Sequence, residues 1–168
     1  MRLAEEKKIV LVASALNLAT GATQVTKAIN MKNFHRATFL IDVGTMGTSN
    51  STLKAYSGAT DATTAITSAI AFKYAYGGST SIWGTIAAGA DVLAAETTVV
   101  AATGLVIVQA TYPNYLLVVE VEATKMDVAN GEEWLMLEFT DAGTSTGLVS
   151  IFAILDARYT GNLSATAL

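Results

Sequence analysis

From His35 to Asp42 the sequence reads HRATFLID, alternating between two kinds of position residue by residue. On an extended chain successive side chains point to opposite faces, so this pattern specifies a strand with one face buried. His35, Ala37, Phe39 and Ile41 are expected on one face, and Arg36, Thr38, Leu40 and Asp42 on the other. The same texture recurs in STLKAYS (51–57), SIWGTI, VLAAETTVVAA, LVIVQAT, YLLVVEVE, EWLMLEFTD and LVSIFAILDARY, all rich in β-branched and aromatic residues. Turn residues divide them: GTMGTSN follows the first strand, Asn130-Gly131 lies between two later ones, and Pro113, the single proline, falls in TYPNY. The alanine-rich ATDATTAITSAIAFKYAYGG begins like a helix after Asp61. Its second half alternates through Ile70, Phe72, Tyr74 and Tyr76, which specifies a polar loop followed by one strand. No long helical period competes, and roughly eight to ten short strands at regular spacing is the pattern of an antiparallel β-sandwich or barrel.

A chain of 168 residues is the size of one domain. Hydrophobic residues make up 52% and charged ones 14%, against about 25% charged in an ordinary soluble domain, which suits a surface partly covered by partners. The net charge of −4 is unevenly spread. Met1–Arg36 holds six bases (Arg2, Lys7, Lys8, Lys27, Lys32, Arg36) and two acids, and the remainder four bases and twelve acids. The basic end is therefore expected to lie on an acidic surface, its own or a neighbour's. Nucleic acid is not the expected partner, because no aromatic residues interleave with these lysines as stacking on single strands requires.

The opening MRLAEEKKIVLVASALNLATGA imitates a secretion signal, but Glu5 and Glu6 in its basic region and Asn17 in its apolar region argue that it is retained. Between Glu96 and Glu120 no side chain is charged, yet Gly104, Gln109 and TYPNY cut the stretch into pieces far shorter than the ~20 residues of a membrane helix. Two buried strands and no membrane association are expected. With no cysteine, the chain has no disulfides, thiolate metal sites or thiol catalysis.

Raw material for catalysis is scarce. Arg36 and Asp42 share a face but are separated by roughly 20 Å at ~3.3 Å per residue, and His35 is expected on the opposite face, so the three do not converge. Glu120 and Glu122, about 7 Å apart on one strand face, have the spacing of paired carboxylates in glycoside hydrolysis, with Glu138 as a further acid. Any two polar residues on one solvated strand face give the same spacing. MDVANGEE offers Asp127, Asn130, Glu132 and Glu133 in a faint calcium-loop pattern that lacks the alternation of an EF-hand. GTMG lacks the Lys-Ser/Thr that completes a phosphate loop. Trp83, Trp134, Tyr112 and Tyr115 are the candidate sugar platform, but aromatics of this size ordinarily fill a sandwich core or an interface. No catalytic, cofactor or metal site is expected, and no enzyme.

Three stretches, INMKNFHRATFLIDVG (29–44), YLLVVEVEATKMDVANGEEWLMLEFTDA (115–142) and ILDARYTGN (154–162), together resemble head decoration, or cement, proteins of tailed bacteriophages. The resemblance implies a jelly-roll-like β-sandwich on the capsid exterior, made in the host cytoplasm. It also implies self-association, as a trimer in preference to a dimer, and bridging of neighbouring major capsid protein subunits. It supplies no catalytic set. Residues 1–24 are then expected as an N-terminal arm, 25–160 as the sandwich and 161–168 as a C-terminal tail. Ile9, Val10, Leu11 and Val12 are candidates for apolar anchoring, and Lys7, Lys8, Lys27 and Lys32 for an acidic capsid surface. The rival expectations are a carbohydrate-binding module or tail-fibre domain, and, behind it, a hydrolase using the glutamates.

Overall fold

The structure, a computed structural model, describes residues 6–18, 22–78, 92–140, 147–159 and 167. Among the described residues twelve strands are formed: β1 (Lys8–Asn17), β2 (Gln24–Val25), β3 (Ile29–Asn30), β4 (Phe34–Met46), β5 (Ser51–Gly58), β6 (Ser68–Ile70), β7 (Phe72–Gly78), β8 (Thr97–Val99), β9 (Leu105–Ile107), β10 (Tyr115–Glu122), β11 (Trp134–Phe139) and β12 (Gly147–Ala157). They make two antiparallel sheets. The front sheet runs β1-β12-β4-β10-β7-β8 and the back sheet β2-β11-β5-β6, with β3 also on β11 and β9 also on β5.

The pairings are nested. β1 pairs with β12, β2 and β3 with β11, β4 with β10, and β5 with β9. A long hairpin rolled up in this way, with successive strands passing between the sheets, is a jelly roll. β12 also pairs with β4 and β11 with β5, which closes the roll. β6, β7 and β8 are an insertion between β5 and β9: β6 widens the back sheet, and β7 and β8 widen the front sheet.

Alternation places the core between the sheets. Ala37, Phe39, Ile41, Leu117, Val119, Ile151 and Leu155 project inward from the front, and Leu53, Leu135, Leu137 and Phe139 from the back, all essentially fully buried. Burying a residue of this size contributes about 1.5–3 kcal/mol, and this layer is the main source of stability.

Four local expectations change. Gly44–Met46, read as part of a turn, continue β4, so the turn is confined to 47–50. The strand expected through Ile70 and Tyr76 breaks at Ala71, where β6 ends in the back sheet and β7 begins in the front. Ile70 and Phe72 are both buried because the chain changes sheets between them. His35 does not share the inner face with Ala37. A bulge sets three residues, Phe34–Arg36, against Asp156 and Ala157 of β12, so Phe34 and Ala37 both point inward and His35 is exposed. Asn130-Gly131 does not join a two-strand hairpin. It closes a short 3-10 turn, Val128–Asn130, in the crossover from β10 to β11, with Gly131 left-handed at φ 78.

Within the expected arm 1–24, Lys8–Asn17 form β1, the edge strand of the front sheet, paired along its length with β12. Of the expected tail, Ala167 is buried and its carbonyl accepts the Asn30 N–H at 3.0 Å; residues 161–166 and 168 lie outside the described residues. SIWGTI and Trp83 lie outside them too.

Candidate interaction surface

The outer face of the front sheet is where apolar side chains meet water. Cross-strand register sets them in rows. Leu11, Phe152, Leu40, Val118 and Ala75 occupy one row on five neighbouring strands, and Ile9, Ile154, Thr38, Glu120 and Lys73 the next. Ile9, Leu11 and Phe152 are 47%, 48% and 44% exposed, and Leu148 and Leu116 on the same face are also exposed. A contiguous apolar stripe bordered by polar residues is the surface signature of association.

The anchoring candidates therefore divide. Val10 and Val12 are core residues under this sheet, while Ile9 and Leu11 belong to the stripe. Leu40 was expected on the outer face, whereas Leu116, Val118, Leu148, Phe152 and Ile154 were missed as surface residues. The signal was present: LVSIFAILD is apolar at nearly every position, which in a strand means that both faces are covered.

One end of the stripe is ionic. Asp156 accepts from Lys7 Nζ at 2.5 Å and from Arg36 at 2.8 Å, and Arg36 also reaches Glu120 at 3.5 Å. Burial pushes the Asp156 carboxyl up, but the Lys7 and Arg36 hydrogen bonds outweigh it and hold the group below the ordinary carboxylate value. Arg36 is raised, chiefly by Asp156. Lys73 pairs with Glu96 at 2.9 Å. Two hollows open here. One, about 290 Å³, is lined by Lys73, Thr98, Glu120, Glu122 and Lys125; the other, about 280 Å³, by His35, Arg36, Glu122, Thr124 and Asp156. The bulge thus brings His35 beside groups from which it was expected to be separated. No group of three or more His, Asp or Glu among the described residues is placed to hold a metal ion.

The other candidates do not converge. Glu138 is in the back sheet opposite Lys54, away from Glu120 and Glu122 in the front. In MDVANGEE, Asn130 donates to Asp127 at 2.7 Å, Glu133 faces Lys32 at 4.0 Å, and Glu132 turns inward. Buried Glu132 accepts from Ser57 at 2.5 Å, Thr67 at 2.6 Å and Ser68 at 3.2 Å. Burial raises its carboxyl and the three hydroxyls outweigh that, so its pKa is lowered. Tyr112, Tyr76 and Tyr115 pack edge-on or tilted with centroids 5.2–6.4 Å apart, and burial together with Tyr74 pushes the Tyr112 hydroxyl up to about 12. These rings fill space against each other and do not form a flat row; Trp134 sits elsewhere, on β11. Lys7, Lys8 and Lys32 lie at the ionic end of the sandwich, and Lys27 is exposed between β2 and β3 at the back sheet's edge.

No protein-family model matches the chain, and no curated relative does. Among solved structures it is similar to the crystal structure of SPBc2 prophage-derived protein YomS, at 13% identity and a TM-score of 0.41, over 89% of this chain and 91% of that one. A likeness at that level carries no inference about role.

Proposed function

We propose that this protein is a structural assembly protein, a decoration or cement protein on the exterior of a tailed-phage head that binds the major capsid protein and stabilises the shell. The observation that carries the assembly part is the apolar stripe exposed across the front sheet, bordered by ion-paired residues at one end. The phage and capsid parts rest on the sequence resemblance. Bridging contacts of modest individual strength, repeated over a lattice, sum to a strong restraint. Lys7, Lys8, Lys27 and Lys32 complement an acidic capsid surface, and such contacts are screened by salt.

The test is co-sedimentation of the purified chain with phage heads over a salt series. Binding that weakens with salt, and weakens further when Lys8, Lys27 and Lys32 are changed to Ala, supports the reading. A chain that stays in the supernatant at all salt concentrations contradicts it.

A further inference from the structure

We infer that the outer face of the front sheet docks a second copy of this chain, through a two-fold axis lying across the strands above the row Val10, Ala153, Phe39 and Val119. This rests on the assembly reading and names the occupant of the stripe.

Those four residues are in register on β1, β12, β4 and β10, and all point inward. The outward residues on either side pair up as Ile9 with Leu11, Ile154 with Phe152, Thr38 with Leu40, Arg36 with Asp42 and, on β10, Glu120 with Val118, where a carboxylate meets an apolar side chain. A half-turn about the row lays each over its counterpart in the second copy. Apolar then meets apolar at the centre, since Ile9 covers Leu11 and Ile154 covers Phe152.

Charge selects this arrangement. Arg36 and Asp42 lie three residues to either side of Phe39, roughly 20 Å apart and unable to meet within one chain. The half-turn sets each Arg36 over Asp42 of the second copy, giving two ion pairs per dimer. An axis along the strands would instead oppose Arg36 to Arg36 and Asp42 to Asp42. Both groups have capacity to spare. Asp42 is exposed and makes no ion pair among the described residues, and Arg36, 43% exposed, has guanidinium N–H groups beyond those given to Asp156 and Glu120. At this end Lys7 and Lys73 are already paired within the chain, while Glu122, opposite Arg36 on β10, is exposed.

Area is consistent as well. Five strands about 4.8 Å apart and seven residues at about 3.3 Å give a footprint of roughly 550 Å², before the relief of the side chains adds accessible surface. Stable interfaces bury about 800 Å² per partner, and aligned sheets pack face to face at about 30°.

Sedimentation equilibrium of the full chain from about 1 to 300 µM tests this. A monomer–dimer equilibrium is expected, weakened at least about tenfold by Phe152→Asp, and about tenfold by Arg36→Asp or Asp42→Arg alone. The double charge reversal is expected to recover to within about threefold of the wild type. Thermal melts of each variant separate misfolding from lost association, and the milder Phe152→Ser repeats the test should the aspartate fail to fold. A monomer throughout the range, a trimer, or a dimer indifferent to these changes overturns the inference. A monomer that binds heads through Phe152 also overturns it and assigns the face to the capsid. Dimerisation without head binding upholds the docking and removes the capsid reading.

Discussion

Glu132 offers the sharpest test of how the insertion is held to the roll. Its carboxylate is 7% exposed and ties β5 to the start of β6 through Ser57, Thr67 and Ser68. Glu132→Gln keeps the shape, removes the charge, and turns an NH2 group toward hydroxyls that had been donating. A hydrogen bond to a charged group contributes about 1.5–3 kcal/mol net, and the residual amide bonds recover part of it, so the loss at pH 7 is expected near 2 kcal/mol. In a domain of this size that lowers Tm by about 4–8 °C. The pH dependence has a definite sign. Because the folded-state pKa is lowered, the stabilisation is complete above the unfolded value of about 4.3 and is lost as pH falls through the folded value. Urea unfolding of both proteins between pH 7 and pH 2 should therefore show a gap that closes on acidification. A gap below about 0.5 kcal/mol at pH 7, or one that does not change with pH, refutes the reasoning.

Phe39→Ala, at a fully buried site between the sheets, is expected to cost about 3–5 kcal/mol in urea unfolding, and a loss under about 1 kcal/mol contradicts the assigned core. At Gly58 an added Cβ would lie 2.3 Å from the Ala65 carbonyl, so Gly58→Ala is expected to destabilise by about 1–3 kcal/mol by the same assay, whereas an unchanged midpoint denies the close crossing of the 59–67 loop. Asp156→Asn removes the carboxylate charge shared by Lys7 and Arg36 at a partly buried site; about 1 kcal/mol is expected at low salt, less at high salt, and equal melting at both contradicts the ion pairs.

Much of the sandwich was legible because period-2 alternation is a direct consequence of strand geometry. STLKAYS, YLLVVEVE and the core of LVSIFAILD became β5, β10 and β12 within a residue or two. What alternation does not encode is which sheet a strand joins. Ile70 and Phe72 keep their apolar phase across Ala71, yet the chain changes sheets there, and both positions remain buried because each faces the same core from a different layer. The β4 bulge was invisible for a related reason: an inserted residue shifts the phase only at His35, at the end of the run. The basic, apolar start was read as an arm because chain ends commonly order only on binding. Val10 and Val12 against Ile9 and Leu11 show that it alternates in contact, core against stripe, like any other strand. The stripe itself required register, since Leu11, Phe152, Leu40 and Val118 are neighbours only once four strands are aligned.

The central claim is that this layered body works through its outer surface, by adding to a shell. Heads purified without the chain and then supplied with it, and followed by light scattering as they are heated, test that directly. The account predicts saturable uptake onto the exterior and a higher disruption temperature. Heads that take up none of the chain, or that fail at the same temperature when saturated with it, contradict it.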